Sequence, residues 1–370
     1  LNNVEGIDCG QYHIDPPPHN SAYFRSQLQS VDSYFSTVSY NQFGINISDS
    51  DVYPLSGVPY ELGKPMSYYN PYNVTETKST LLTDLFVASL ELAYSTDSID
   101  YSQYDLIIIF HAGIGQDFSL PFLDPTPEDI PSTFIDPEMI YEYSGNNIIS
   151  IGEHTINKGI IMPETQNHLN YDISIDMFSS EQQPCDYQYG LTGTLSLMIG
   201  FAIGLPPLWD IETGDTRIGV FGLMDQGSNN GRGIIPSAPD PWSRIYAGWE
   251  EPIIVAQNSQ IALPKISNSN IVRIDINESE YFLIENRINH FKEKISIDSI
   301  RYKIWQETDE YPAFIRVLMD SVQIEKDQNG VIVSMPDYNI GLPGSGLLIW
   351  HIDEHRINAG IDDYSINKNI

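Results

Sequence analysis

Five consecutive apolar residues, Leu106–Phe110, constrain the fold of this chain more than any other stretch of its sequence. A run of this length and composition predicts a strand that is buried on both faces, as in a sheet covered by helices. Helical spacing of apolar residues predicts helices over Ser21–Ser39 and Leu81–Tyr94, ahead of that strand. Gly113 and Gly115 follow it, and we expect a loop there. Helices, a buried strand and a glycine loop in this order indicate an α/β domain.

The sequence changes character after Trp249, where short segments rich in isoleucine and valine alternate with turn residues. Seven of these segments have the length and composition of strands: Pro252–Ala256, Gln260–Leu263, Ile271–Ile276, Tyr281–Glu285, Ala313–Leu318, Val331–Ser334 and Gly346–Asp353. We therefore expect an α/β domain over residues 1–250, followed by a β-rich region over residues 251–370 that packs on it.

The chain carries a large excess of negative charge, with 50 aspartates and glutamates against 18 lysines and arginines and a formal net charge of -32. Such a surface repels the phosphates of nucleic acids and of anionic lipids, so we expect neither nucleic-acid binding nor membrane insertion. No apolar run reaches the roughly 18 residues that a membrane-spanning helix needs. The composition leaves a protein partner, or self-association, as the expected interaction.

Only two cysteines, Cys9 and Cys185, are present, which is too few and too widely spaced for a zinc knuckle. Whether they form a disulfide is left open by the sequence. The chain starts at Leu1 and not at a methionine, so we expect a processed product or a fragment.

Several blocks, in order along most of the chain, resemble the immune inhibitor A-type secreted zinc metallopeptidases. They are DSYFSTVSYNQFGI at 32–45, YDLIIIFHAGIGQD at 104–117, GIIMPE at 159–164, GLPPLWD at 204–210, GVFGLMDQG at 219–227, PDPWSRIYAGW at 239–249, EYFLIENR at 280–287 and GLLIWHIDE at 346–354. The resemblance implies an α/β (α+β) zincin- or metzincin-like metallopeptidase domain followed by the β-rich half. It also implies an extracellular or cell-surface location, and a β-rich half that is truncated at Ile370 relative to the family.

The family's zinc site has the pattern H-E-x-x-H-x-x-G-L-P-D, in which two histidines one helical turn apart bind the metal and the glutamate acts as general base. In this sequence the two histidine positions carry Leu197 and Phe201, and the glutamate position carries Met198. The aspartate position carries Pro207. With apolar side chains at these positions, we expect this helix face to become ordinary core. None of these side chains supplies the deprotonated donor that Zn²⁺ needs, so we expect no zinc, no other cofactor and no peptidase activity.

Three further residues correspond to the cleft of the family, and the resemblance implies that they are vestigial here. Met224, in GLMD, corresponds to the methionine turn that underlies the metal in related zincins. Glu164 falls on the strand at the edge of the cleft. His111 follows the predicted buried strand, where α/β proteins often bind ligands, although a structural histidine is the favoured interpretation.

The sequence contains a second possible zinc motif, because His351, Glu354 and His355 match the inverted pattern H-x-x-E-H. This motif requires a helix, whereas Gly346–Asp353 has the composition of a strand. Strand residues four apart lie about 13 Å from each other and cannot share one metal ion. We keep a zinc site here as the alternative to the zinc-free interpretation.

A loop after the GLPP turn clusters the carboxylates of Asp210, Glu212 and Asp215 near a glycine. It resembles a calcium loop only loosely, because it lacks the full spacing of oxygen ligands. A solvated turn is the favoured interpretation, and structural calcium is the alternative.

These observations predict a secreted, catalytically inactive metallopeptidase-like protein with a binding or structural role in an extracellular or cell-surface assembly. The alternative is an active secreted zinc metalloendopeptidase that uses an atypical site such as His351, Glu354 and His355. The 23 tyrosines favour the first function, because tyrosine gives large contact area at low entropic cost.

Overall fold

A computed structural model describes residues 14–48, 51–71, 78–118, 127–167, 188–255, 260–263, 271–292, 294–309, 312, 314–321 and 323–368. The chain divides into two compact units. The first comprises residues 1–26, 47–191 and 329–331, and the second comprises residues 27–46, 192–328 and 332–370. Cys9 and Cys185 lie outside the described residues, so their pairing stays open.

The first unit is built on a three-stranded sheet. Its elements are the start of α1 (Ser21–Val38), α2 (Met66–Tyr69), α3 (Ser79–Asp97), β1 (Ile108–Ile114), β2 (Thr133–Ile135), α4 (Pro137–Ser144), β3 (Ile149–Ile151), β4 (His154–Ile156) and β5 (Gly159–Thr165). The sheet has the order β1-β5-β2, with β1 parallel and β2 antiparallel to β5. Strands β3 and β4 form a separate hairpin.

Helix α3 supplies much of the core of this unit through Leu82, Leu85, Phe86 and Leu90. The ring of Phe86 lies over the start of β5 at Gly159, where a Cβ atom would come within 2.0 Å of it. Only glycine allows this close approach of the helix side chain to the strand.

The predicted strand at Leu106–Phe110 exists, but the expectation that it is buried on both faces is wrong. Strand β1 begins at Ile108 and is only half-buried, because it lies at the edge of the sheet. The central strand is β5, which is buried at six of its seven positions. Gly113 lies within β1 and not in a loop, at φ 88° beside an irregularity between His111 and Ile114.

The second unit holds the remaining elements. They are the rest of α1, α5 (Thr192–Ala202), α6 (Pro241–Tyr246), β6 (Ile253–Ile254), β7 (Val272–Asp275), β8 (Glu280–Arg287), α7 (Ile297–Thr308), α8 (Phe314–Met319), β9 (Glu325–Lys326), β10 (Ile332–Ser334), β11 (Gly346–Asp353) and α9 (Glu354–Gly360). Four strands form a sheet of order β11-β8-β7-β6, and β9 pairs with β10. Strand β11 has the limits expected from the sequence and runs antiparallel to β8.

Several segments after residue 250 differ from the β-rich expectation. The stretch predicted as a strand at Gln260–Leu263 forms no regular element. The stretch predicted as a strand at Ala313–Leu318 is helix α8, whose buried residues Ile315, Leu318 and Met319 follow the i, i+3, i+4 spacing of a helix face. Helix α7 was not expected, although Ser296 caps it by accepting the N–H of Ser299. The described residues therefore form a mixed α and β structure with nine α-helices and several small sheets. The domain limits at 1–250 and 251–370 stay a prediction.

A buried ionic network ties helix α6 to the four-stranded sheet. Arg244 of α6 donates hydrogen bonds to Glu250, to Glu285 of β8 at 2.7 Å, and to the carbonyl of Pro239. Arg287 lies 2.8 Å from the same Glu285 carboxylate. These four charged side chains are at most 5% exposed, and their charges balance.

The network continues into β11 and the loop before it. The indole N–H of Trp350 donates to Glu285 Oε1 at 3.1 Å, and Arg287 donates to Asn339 Oδ1 at 3.0 Å. Burial of itself raises the pKa of Glu285, but attraction by Arg287 and Arg244 outweighs it and lowers that pKa to about 2. The carboxylate therefore stays charged inside the protein because both arginines hold it.

Replacing Glu285 should test how much the network contributes. We expect Glu285→Gln to lower the free energy of unfolding by about 3–5 kcal/mol at pH 7, because Arg244 and Arg287 lose a shared buried counter-ion. The folded-state pKa lies below the ordinary value of about 4.3, so the contribution is present above that value and is lost as pH falls towards 2. The difference between wild type and variant in urea titrations should therefore shrink between pH 5 and pH 2.

The control is Lys368→Gln, which removes an exposed partner of Glu212 and should leave the unfolding midpoint unchanged. A Glu285→Gln protein as stable as wild type at pH 7 would contradict the assigned role of the network.

Candidate functional site

Helix α5 carries Leu197, Met198 and Phe201, three of the four positions that the resemblance assigns to the zinc site, and it is buried over most of its length. Its first turn lies very close to the segment that follows Met224: a Cβ atom at Gly193 would lie 1.9 Å from the carbonyl oxygen of Ser228. The N–H of Gly193 also donates to the carbonyl of Gly233 at 2.7 Å. Glycine is therefore required at position 193 by backbone packing.

Met224 lies against the middle of this helix. Its side chain is fully buried, and a Cβ atom at Gly200 would come within 2.7 Å of Met224 Sδ. The carbonyl of Met224 accepts the N–H of Leu208 at 2.8 Å, which joins the methionine segment to the turn after the helix. Helix, turn and methionine segment thus pack as one structure.

Gly204 ends the helix in a Schellman motif. The N–H of Gly204 donates to the carbonyl of Phe201, and the N–H of Leu205 donates to that of Gly200, both at 2.9 Å. The motif needs a left-handed residue after the last turn, and Gly204 supplies it at φ 90°. The Gly-Leu-Pro signature found in the sequence is therefore explained by the way the helix stops.

The four positions that correspond to zinc ligands and base hold no donor for the metal. Met198 and Pro207 are buried, whereas Leu197 and Phe201 are half-buried. Because they are four residues apart, these two side chains share one face of α5. The Phe201 ring contacts Trp209 with centroids 5.8 Å apart. Hydrocarbon and thioether side chains do not fit Zn²⁺, which binds thiolate, imidazole or carboxylate.

The half-buried state of Leu197 and Phe201 differs from what the sequence suggested. An apolar replacement of the ligand set predicts that the helix face becomes ordinary core, and this is wrong at these two positions. The remainder of the helix is core, with Leu195 fully buried and Ile199 3% exposed.

The carboxylates considered for calcium are held by other groups. Asp210 is 2% exposed; its Oδ2 accepts from Arg217 at 2.7 Å, and its Oδ1 accepts the N–H of Glu212 and of Thr213. The Glu212 carboxylate pairs with Lys368. Arginine and lysine therefore supply the positive charge next to two of the three candidate ligands. The third, Asp215, is exposed.

Asp225, which follows the methionine, was not singled out from the sequence and organises this loop. Its Oδ2 accepts hydrogen bonds from Thr216, Arg217, Ile218 and Gly219 at 2.7–3.0 Å. A carboxylate that accepts several backbone N–H groups fixes a loop as a cap fixes a helix end. Four donors within four consecutive residues could not be inferred from spacing alone.

The residues of the inverted motif lie on different elements. His351 is on β11, with Nε2 3.0 Å from Glu280 Oε2, whereas Glu354 and His355 are on α9. Asp353 separates the two elements and caps α9 by accepting the N–H of His355. The Glu354 carboxylate accepts the hydroxyl of Tyr281. Within the described part of the chain, no three histidine, cysteine, aspartate or glutamate side chains are grouped as metal ligands would be.

In the first unit, Glu164 lies at the next-to-last position of β5, whereas His111 lies in the middle of β1 and does not follow the strand as expected. Glu164 Oε1 accepts the N–H of Gly113 at 3.1 Å, and Oε2 lies 3.6 Å from His19 Nδ1. Burial of itself raises the pKa of Glu164, but these two contacts outweigh it and lower the pKa. His19 was missed in the sequence because no spacing rule connects it with a residue so far along the chain.

His111 is held by backbone carbonyl oxygens on both ring nitrogens, from Ala112 at 2.9 Å and from Ile130 at 3.0 Å. Removal from solvent lowers the pKa of the imidazole, which favours its neutral form. A neutral imidazole carries one N–H, so His111 donates to only one of these two carbonyl oxygens at a time.

Compared with protein-family models, curated proteins and solved structures, the chain matches none of them. In the part of the chain that the structure describes, no helix combines the length and the apolar character that a bilayer crossing requires.

Alanine substitution of two leucines on α5 should distinguish the buried face of the helix from its half-buried face. We expect Leu195→Ala to lower the free energy of unfolding by about 2–5 kcal/mol, as a cavity in a closed core. Leu197→Ala should lower the free energy of unfolding by about 1–2 kcal/mol, because folding removes less apolar area from water at this half-buried position. Urea unfolding of both proteins gives the comparison. Equal losses would mean that the Leu197 face is closed.

A matched pair of glycine substitutions should test the packing of α5 on the methionine segment. Gly200→Ala should cost about 1–3 kcal/mol, because the new methyl group overlaps Met224 in a filled core. Gly344→Ala has open space around its Cβ position and should leave stability unchanged or raised by roughly 0.4–1 kcal/mol. Thermal unfolding of the two variants measures the contrast. A Gly200→Ala variant as stable as Gly344→Ala would show that Met224 does not support the helix.

Proposed function

We propose that this protein has a zincin- or metzincin-like metallopeptidase fold without a catalytic metal, and that it works by binding another protein in an extracellular or cell-surface assembly. One observation carries the proposal. Helix α5, its Schellman turn at Gly204 and Met224 pack together, which supports the arrangement that the resemblance implies, whereas Leu197, Met198, Phe201 and Pro207 offer no donor.

The charge of the chain supports a protein partner. A formal charge of -32 disfavours nucleic acid and anionic lipid, and it favours partners that present lysine or arginine. The half-buried side chains of Leu197 and Phe201 leave part of one face of α5 accessible.

Metal analysis of the purified protein tests the proposal. We expect less than stoichiometric zinc by elemental analysis, and no peptidase activity that a chelator abolishes. The reason is the donor chemistry of the four positions. One equivalent of tightly bound zinc with chelator-sensitive peptidase activity would overturn the proposal in favour of an atypical site such as His351, Glu354 and His355.

A gain-of-function variant tests the correspondence between α5 and a zinc helix separately. The triple variant Leu197→His, Phe201→His, Pro207→Asp restores the ligand set that the resemblance implies, and zinc titration should reveal a site that wild type lacks. The matched control is Tyr302→His, Gln306→His, made together with Asp298→Asn on exposed helix α7, which offers two histidines one turn apart without the carboxylate that precedes them on the same face. Affinity no higher than in this control, in a folded triple variant, would contradict the correspondence.

A further inference from the structure

The four-stranded sheet of the second unit has an apolar face that is open to solvent. Cross-strand pairing places these residues on one face: Ile349 opposite Ile284, and Phe282 opposite both His351 and Ile274. Ile253 and Leu347 extend the same face to the two edge strands. The exposed fractions are large for apolar side chains: Ile349 66%, Leu347 61%, Ile274 39%, Ile253 39% and Phe282 36%. We call this surface the sheet face.

The other face of the same sheet is the one committed to the interior. It carries Glu285, Arg287 and Trp350 of the ionic network, together with the buried side chains of Leu283 and Tyr281. An antiparallel sheet with one buried face ordinarily shows polar residues on the other. Here the outer face is apolar: Val272, which pairs with Ile253 and Ile284, is buried, and exposed apolar side chains surround it. An exposed apolar patch is typical of an interaction site.

One end of the sheet face is acidic. Asp353 of β11 and Glu280 of β8 are directly opposite each other in the antiparallel register, next to the His351–Phe282 pair. Like charges at opposed positions destabilise a sheet. His351 lies against Glu280, and Asp353 caps α9 by accepting the N–H groups of His355 and Arg356, while the Arg356 guanidinium donates to the carbonyl of Lys368. A cation from a partner would offset the repulsion.

We propose that the sheet face binds an amphipathic helix of a partner protein that carries lysine or arginine at the acidic end. This inference rests on the proposed binding function and names its surface and partner class. A second copy of this chain is a poor occupant, since each copy brings a formal charge of -32. A partner strand added to β11 would leave Phe282, Ile274 and Ile253 uncovered. A helix about 10 Å wide spans two or more strands that lie about 4.8 Å apart.

Fluorescence anisotropy with the full chain and three synthetic peptides of about 18 residues tests the proposal; this length suffices for a helix. The first peptide has leucines on one helix face and lysines on the other. The second has the same composition in an order without an apolar face, and the third has glutamate for lysine. We expect a Kd on the order of 10 µM for the first peptide and at least about tenfold weaker binding for the others.

Variants locate the site. Ile349→Glu should weaken binding of the first peptide at least about tenfold, since it places an unpaired charge in the apolar contact. Val58→Glu, an equally exposed apolar position in the first unit, should leave binding unchanged. Glu280→Lys should weaken binding of the lysine peptide and strengthen binding of the glutamate peptide, an exchange that misfolding cannot produce.

Four outcomes would overturn the inference: no binding of the first peptide, equal binding of the reordered peptide, equal loss with Val58→Glu, or a dimer in sedimentation that Ile349→Glu dissolves. Zinc content and peptidase activity are measured on the same preparation. Zinc with activity refutes the proposed function and leaves the peptide result standing, whereas failed peptide binding without zinc refutes only the docking surface.

Discussion

The shared carboxylate of Glu285 between Arg244 and Arg287 is the interaction on which the second unit depends. It joins helix α6, the segment after it, the centre of β8 and the indole of Trp350 on β11 in one buried, charge-balanced group. Charges at this depth are tolerated only with complete pairing, and each partner lost leaves another unpaired. Segments far apart in sequence are therefore held in one geometry by electrostatics as much as by apolar contact.

The network also fixes which face of the sheet is free. Residues alternate between faces along a strand, so committing Glu285, Arg287 and Trp350 to the interior turns Ile284, Ile349 and Phe282 outwards. A slip by one residue would bury the isoleucines and expose the charges, and the paired arginines oppose that slip. The exposed apolar row is thus a consequence of strand register and not of loose packing.

The spacing of apolar residues predicted those helices and strands whose buried face follows directly from that spacing. Helix α3 and strand β11 were found with nearly correct limits, and α1 ends one residue earlier than expected, because their apolar spacing agrees with the face they bury. The errors arose where contacts with residues distant in sequence determine the secondary structure or the position of a strand in its sheet. Leu106–Phe110 has the composition of a central strand but forms an edge, and the short apolar stretch at α8 suits helix or strand equally. At the candidate site, Gly204 and Met224 were found, whereas the His19–Glu164 contact joins distant segments that no periodicity links.

The residues that carry the resemblance to a metallopeptidase helix divide into two physical kinds. Gly200 is required by Met224 Sδ, Gly193 by the carbonyl of Ser228, and Gly204 by a left-handed turn. These requirements belong to the packing of α5 and would hold with or without a metal. Positions 197, 198, 201 and 207 would have a chemical role only with donors, and there the side chains are apolar. Packing alone therefore accounts for these glycines and for Met224, so their presence in the sequence is not evidence of hydrolysis.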